Sequence, residues 1–183
     1  MPARRAPSLS WALRPLLAVA LLCTAAHAAA AQPSDMAVKA AFLSKFGSYV
    51  GWPGSAATGP INLCLIGSDP FGRLVEEAVR GQHAGGRPLR LQRLANAEGA
   101  GGCHIAFVQG ASAAATGAML TALRGKPVLT VTDSRGGGQQ GMVHFVIHQG
   151  RVRFHIDDAG AAQSRLSISS RLLGLAVSVR QRR

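Results

Sequence analysis

The apolar positions of this chain change their spacing several times, and each spacing predicts a different element. Ala41, Phe42, Phe46 and Tyr49 recur at intervals typical of a helix after the polar pair Ser34-Asp35. This pattern predicts a helix that begins at Ser34 or Asp35, with one of them as its cap, and continues to about residue 50. Trp52-Pro53-Gly54 is expected to stop it.

Short apolar runs and helical patterns then alternate through the middle of the chain. Ile61–Gly67 is almost continuously apolar, as in a strand buried on both faces. Leu89–Leu94 alternates strictly, which indicates a strand with one exposed face. Asp69 and Pro70 are suited to the cap and first turn of a helix that reaches about Arg80. Further strands are predicted over 103–108 and 127–133, and a further helix over 112–123.

The last third of the chain predicts a hairpin and a closing helix. Met142–His148 and Arg151–Ile156 are strand-like runs that flank the turn residues Gln149-Gly150. Apolar residues between 168 and 179 predict a helix from about Ala159 to Val179. Asp157 or Asp158 is expected to cap that helix.

This order of elements favours the α/β class. We predict a single-domain sandwich in which a mixed, mostly parallel sheet has helices on both faces and an antiparallel C-terminal hairpin. If the strand over 103–108 lies beside the strand over 61–67, Cys64 and Cys103 come close together.

Residues 1–31 predict a cleavable export signal. Arg4, Arg5 and Arg14 precede an apolar run over 16–23, and small residues fill 25–31. The run is too short to span a bilayer, which needs roughly 20 residues. We therefore predict a leader over 1–31 that is cleaved near Ala28 to Ala31, and a single domain over 32–183 in the periplasm, without a membrane span.

The predicted mature chain is basic. Without the leader it has 17 basic and 8 acidic residues, a formal net charge of +9. The basic residues are scattered and are not interleaved with aromatic ones, so no nucleic-acid partner is predicted. Attraction to an anionic surface and a compositional preference for arginine both remain open as explanations. Arg180, Arg182 and Arg183 are expected to form a solvated end.

Two cysteines remain once Cys23 leaves with the leader. In an oxidising compartment a single disulfide between Cys64 and Cys103 is the default, and a redox-active thiol pair is the alternative. The histidines show no ligand spacing typical of a metal site, so we predict neither a metal nor a cofactor.

Motifs for catalysis are missing from the sequence. It contains no Gly-x-Ser-x-Gly, no Walker loop and no Gly-x-Gly-x-x-Gly, and we predict that the protein is not an enzyme. Ser68, Asp69 and Asp133 follow the ends of predicted strands, where open α/β sheets bind ligands. They define a candidate ligand crevice, and with it the alternative function of a periplasmic small-molecule or anion-binding module.

Taken in order, several blocks of the chain resemble the YfiR family. They are VKAAFL at 38–43, WP at 52–53, LCLIGSDPFG at 63–72, CHIAFV at 103–108, PVLTVTD at 127–133, GMVHF at 141–145, VRFHID at 152–157, AA at 161–162, LSISSRLL at 166–173 and LA at 175–176.

The resemblance implies a periplasmic α/β protein that represses a membrane-bound diguanylate cyclase by binding its periplasmic sensor domain, which lowers cyclic di-GMP and biofilm formation. An outer-membrane lipoprotein is a second candidate partner, and a homodimer is a candidate assembly. Cys64 and Cys103 fall in the two blocks where the family carries cysteines, and further cysteines of some members have no counterpart here. Gly51 and Asp157 depart from the acidic residue and the asparagine that the family often has.

Overall fold

The computed structural model describes residues 33–182. The predicted leader over 1–31, its cleavage region at Ala28 to Ala31, and Arg183 lie outside the described residues. The α-helices are α1 (Asp35–Phe46), α2 (Arg73–Val79), α3 (Ala113–Leu123), α4 (Asp158–Gln163) and α5 (Ser170–Leu173). The strands are β1 (Val50–Gly51), β2 (Ile61–Gly67), β3 (His83–Ala84), β4 (Arg87–Leu94), β5 (Ile105–Gln109), β6 (Leu129–Asp133), β7 (Val143–His148), β8 (Arg151–Asp157), β9 (Ser167–Ile168) and β10 (Ser178–Arg180).

Eight of these strands form one mixed sheet in the order β10-β8-β7-β6-β5-β2-β4-β3. Neighbours from β4 through β7 are parallel, whereas β7 and β8 form an antiparallel hairpin. The predicted single-domain α/β fold, with its mostly parallel sheet and C-terminal hairpin, is confirmed. The hairpin was expected to form an edge of the sheet, but β10 adds in parallel beside β8 and is the edge strand instead.

Alternation along the strands divides the core between the two faces of the sheet. On β2, Leu63 and Leu65 face the side covered by α1 and α2, whereas Cys64 and Ile66 face the side covered by α3. The first side holds an aromatic cluster of α1 and the hairpin, whose ring centroids lie 5.4–6.4 Å apart: Phe42, Phe46, Phe145 and Phe154. Helices therefore cover both faces, as predicted.

The first helix is shorter than predicted and buries a different face. It ends at Phe46, and Val50 pairs with Ile168 in a separate two-stranded ribbon. The buried residues of α1 include Lys39 and Leu43, whereas Ala41 is exposed. The helical spacing of Tyr49 and Val50 was misleading because these residues have tertiary partners in β9 and beside it, which outweigh local propensity.

The predicted closing helix over 159–179 is wrong. Four short elements replace it: α4, β9, α5 and β10. Arg165 has a positive φ of 59°, which ends the helical turn, and Ser169 caps α5 by accepting from the backbone of Leu172. Leu166 and Ile168 are both buried and lie two positions apart, which is the side-chain period of a strand. The apolar pattern that predicted a helix therefore contained a strand segment.

The helix after β2 begins later than predicted. Asp69 Oδ1 accepts from the backbone N–H of Phe71 at 2.7 Å and of Gly72 at 3.1 Å. These bonds close a turn ahead of α2, whose N-cap position is Gly72. Asp69 therefore shapes the approach to the helix and does not cap it.

The tight turn of the hairpin agrees with its sequence. Gln149 and Gly150 have φ values of 50° and 70°, as a two-residue type I′ turn requires. Glycine adopts this left-handed conformation without strain. The turn sets the register in which Phe145 lies opposite Phe154.

The predicted neighbourhood of the two cysteines is also confirmed. β5 lies beside β2, and Cys103, just before β5, forms a disulfide with Cys64 across a Cα–Cα distance of 5.9 Å. Both residues are buried in the core under α3. The bond joins central strand β2 to the residue two positions before β5, and the two cysteines are 39 residues apart in sequence.

We expect reduction of this disulfide to lower the free energy of unfolding by about 4 kcal/mol, because the bond closes a loop that the unfolded chain otherwise leaves open. Urea unfolding with and without a reductant measures the difference. A Cys64→Ala/Cys103→Ala variant is the control, since its stability should not respond to the reductant. Equal stabilities of the oxidised and fully reduced protein would contradict the prediction.

Candidate functional site

An apolar groove of about 280 Å³ lies between α1 and the segment around α5. The groove is defined by Val38, Ala41, Phe42, Lys45, Phe46, Tyr49, Leu172 and Leu175. Leu175 is 49% exposed, and Phe42 and Tyr49 are each partly exposed. Exposed apolar side chains that line a concave surface are typical of contact sites for other molecules.

The floor of the groove belongs to the aromatic core. The ring of Phe42 lies 6.1 Å from that of Phe46 and 5.4 Å from that of Phe154. Phe46 and Phe154 are almost completely buried, so they hold Phe42 at the surface with one side exposed. The groove is therefore a partly open extension of the core, with a rigid base.

Tyr49, Leu172 and Leu175 form the second wall of the groove, next to the ribbon of β1 and β9. The backbone N–H of Ser169 donates to the carbonyl of Tyr49 at 2.9 Å, directly after the β1–β9 pairs. This bond brings the start of α5 to the end of the loop after α1. Leu172 is buried beside Tyr49, and Leu175 follows on the exposed side.

A buried ion pair holds α1 over the sheet. Lys39 Nζ lies 2.6 Å from Asp133 Oδ2, and both side chains are essentially inaccessible to solvent. Asp133 ends β6, and its other oxygen accepts from the backbone N–H of Arg135 at 3.2 Å. Lys39 is on the buried face of the same helix that carries Phe42 to the groove.

The residues of the predicted ligand crevice lie at the carboxyl edge of the sheet. Asp69 follows β2 and Asp133 ends β6, with β5 between these strands. Asp133 pairs with Lys39, and Asp69 accepts from Arg93 at 2.9 Å. The backbone N–H of Ser68 donates to the carbonyl of Gln109. A ligand crevice at Ser68, Asp69 and Asp133 stays a prediction, and both carboxylates already have cationic partners.

Arg180 and Arg182 are exposed at the basic end of the chain, as predicted, but each forms an ion pair with an aspartate; Arg183 lies outside the described residues. Arg180 pairs with Asp157, and Arg182 donates to both oxygens of Asp158 at 2.7 and 2.8 Å. Burial alone would raise the pKa of Asp157, but the bonds from Arg180 and from the backbone of Gly160 hold it below its ordinary value. Asp157 also caps α4, as predicted.

Sequence reasoning found the parts of the groove but not the groove itself. The helical spacing places Phe42, Phe46 and Tyr49 on a helix longer than α1, and Leu172 and Leu175 on a closing helix over 159–179 that the structure lacks. A signal was present in the second case. Ser167 and Ser169 flank Ile168, and serine beside a β-branched residue disfavours the interior of a helix.

No helix among residues 33–182 is both long enough and apolar enough to cross a membrane. A family model described as YfiR/HmsC-like matches residues 36–177, which is most of the chain. The match includes both walls of the groove, the ion pair and the disulfide. No curated protein matches the chain.

We expect Lys39→Met to lower the free energy of unfolding by about 3–5 kcal/mol, because it leaves the carboxylate of Asp133 buried without its cation. Chemical denaturation measures this loss. Arg135→Met is the control, since it removes an exposed pair with Asp35 and should cost less than about 1 kcal/mol. Equal losses of unfolding free energy in the two variants would show that the buried pair stabilises the fold no more than the exposed pair does.

Proposed function

The chain belongs to the YfiR/HmsC-like family of periplasmic regulators linked to diguanylate cyclases, and on this premise we propose that it represses a membrane-bound diguanylate cyclase. It binds the periplasmic sensor domain of that enzyme, lowers cyclic di-GMP and so limits biofilm formation. The leader over 1–31 directs export and is cleaved near Ala28 to Ala31, which leaves the domain over 32–183 in the periplasm.

The observation that carries the proposal is the apolar groove. A repressor of this kind works by contact, so it needs a surface that another protein can cover. Interface centres are rich in aromatic and apolar residues that fill pockets. Phe42, Tyr49 and Leu175 present such groups on a rigid base. Lys45 lies at the rim, where it donates to Gln82 Oε1 at 2.7 Å.

Repression across the membrane follows from differential affinity. If the protein binds only the inactive conformation of the sensor domain, it shifts the population of the cyclase towards that state. A change from 99% active to 99% inactive needs roughly a 10⁴-fold preference. A second ligand of the same groove would release the cyclase by competition, and an outer-membrane lipoprotein is our candidate for that role. A homodimer through the groove would compete in the same way.

A role in binding also suits the carboxylates of the domain. Asp133, Asp157 and Asp158 each have a cationic partner within the fold, and Asp157 caps a helix as well. General acid or base catalysis needs a carboxyl group within reach of a substrate proton. These three groups instead stabilise the fold, which favours a regulator over an enzyme.

Deletion of the gene is expected to raise cellular cyclic di-GMP and biofilm mass, because the cyclase loses its repressor. Cyclic di-GMP is measured by mass spectrometry in a strain in which a gene for a membrane-bound cyclase lies next to the gene of this protein. A strain with the wild-type gene restored is the control. An unchanged level after deletion in such a strain would count against repression.

Leu175→Glu tests the groove directly. We expect it to weaken binding to the purified periplasmic domain of the adjacent cyclase at least tenfold, because it places a charge in an apolar contact. Isothermal titration calorimetry gives the affinity, and thermal melting confirms that the variant is folded.

Ile147→Glu is the matched control. Ile147 is 44% exposed, close to the exposure of Leu175, but it lies near the tip of the hairpin and does not line the groove. It should bind as the wild type does. Equal binding by the wild type and Leu175→Glu would exclude the groove as the docking surface, whereas the deletion experiment tests repression independently of which surface is used.

A further inference from the structure

The sheet face opposite the groove carries a row of polar side chains across four adjacent strands. Thr132 on β6 pairs in register with His144 on β7, His144 with His155 on β8, and His155 with Ser178 on β10. The neighbouring residues Phe145 and Phe154 point into the aromatic core, so His144 and His155 share the other face. Three members of this row, His144, His155 and Ser178, border a cavity of about 330 Å³.

The two imidazoles are oriented by hydroxyl groups. His144 Nδ1 lies 2.8 Å from Thr132 Oγ1, and His155 Nδ1 lies 2.6 Å from Ser178 Oγ. Thr132 Oγ1 also accepts from the backbone N–H of Gly141 at 2.9 Å. A hydroxyl oxygen has two acceptor sites, so Thr132 can accept a second bond from an Nδ1–H of His144. The tautomer with Nδ1 protonated leaves Nε2 of that ring with a free lone pair.

Both Nε2 atoms are available to a ligand from the cavity. Neither His144 nor His155 uses Nε2 in a hydrogen bond with the described part of the chain. No completely buried side-chain nitrogen or oxygen in that part lacks a partner, so neither Nε2 atom is completely buried, although His144 as a whole is only 4% exposed. His144 and His155 both line the cavity.

The spacing of the pair suits a shared metal ion. Side chains directly opposite each other on antiparallel strands have Cβ atoms about 4.5–5.5 Å apart. Two imidazoles on one ion at about 2.0–2.1 Å each bring their nitrogens to roughly 3.3 Å in a tetrahedral arrangement. The hydroxyl partners on the remote ring nitrogens can orient the rings as carboxylates, backbone carbonyls or water do for most metal-bound histidines.

We propose that His144 and His155 bind one divalent first-row transition-metal ion through their Nε2 atoms, with copper(II) bound most tightly. Imidazole nitrogens suit copper, nickel and zinc, and the general order of affinity places copper(II) first. This inference goes beyond the proposed repression, and it revises the expectation of no metal site, which rested on sequence spacing and not on cross-strand register.

The site offers two protein ligands and leaves the other positions open. Within residues 33–182 no group of three or more histidine, cysteine or acidic side chains is placed to hold a metal. Asp157 borders the same cavity, but Arg180 and the backbone of Gly160 occupy its oxygens. That pairing also neutralises the charge of Arg180 towards an incoming cation. Water completes the coordination, so we expect affinity in the micromolar range.

Titration of the mature, oxidised protein with copper(II) chloride tests the proposal. We expect one equivalent to bind, with an electron paramagnetic resonance spectrum that shows two equivalent nitrogen ligands. His155→Gln and His144→Gln should each weaken binding at least tenfold and remove one nitrogen from the spectrum. His155 is the more accessible of the two, so His155→Gln keeps the test valid if His144→Gln fails to fold.

His148→Gln is the control, because His148 is an exposed histidine at the end of the same strand. It should bind copper as the wild type does. Unchanged binding in His155→Gln, or a loss of binding in His148→Gln, would overturn the proposal. The titration uses the metal ion alone, so its outcome tests the metal site independently of the proposed repression of a cyclase.

Discussion

The buried pair of Lys39 and Asp133 determines where the first helix lies on the sheet, and much of the structure depends on that position. An isolated charge in such a place would be very costly, so each partner requires the other. Their contact joins the middle of α1 to the end of β6. With the helix fixed there, Phe46 enters the aromatic core and Phe42 remains at its surface. One wall of the apolar groove therefore follows from a polar contact beneath it.

Elements whose signals are local could be predicted from the sequence. The run over 61–67 gave a central strand, the pattern over 112–123 gave α3, and Gln149-Gly150 gave the hairpin turn. Each depends on residues that interact within a few positions, or on burial from both sides. The disulfide also followed, because β5 lies beside β2 as the alternation of strands and helices suggested.

The candidate site was harder to predict because it depends on contacts between distant segments. In the sequence, Lys39 has the pattern of an exposed lysine on a helix. Its burial depends on the contact with Asp133, which is 94 residues away. Val50 continues a helical spacing until Ile168 pairs with it. His144 and His155 have no metal-ligand spacing along the chain and become neighbours only through the register of the hairpin. The blocks that resemble the YfiR family carried the functional inference where local patterns could not.

The hairpin contributes side chains to both faces of the sheet. Its register places aromatic residues on one face and histidines on the other. Phe145 and Phe154 support the groove, whereas His144 and His155, each one position away, face the polar cavity. Since side chains alternate with a period of two, a slip of one residue in either strand would exchange these faces. Imidazoles would then enter the aromatic core without partners for their nitrogens, and phenyl rings would lie in the cavity. The turn at Gln149-Gly150 sets the correct register, and the cost of burying unpaired polar groups opposes the alternative.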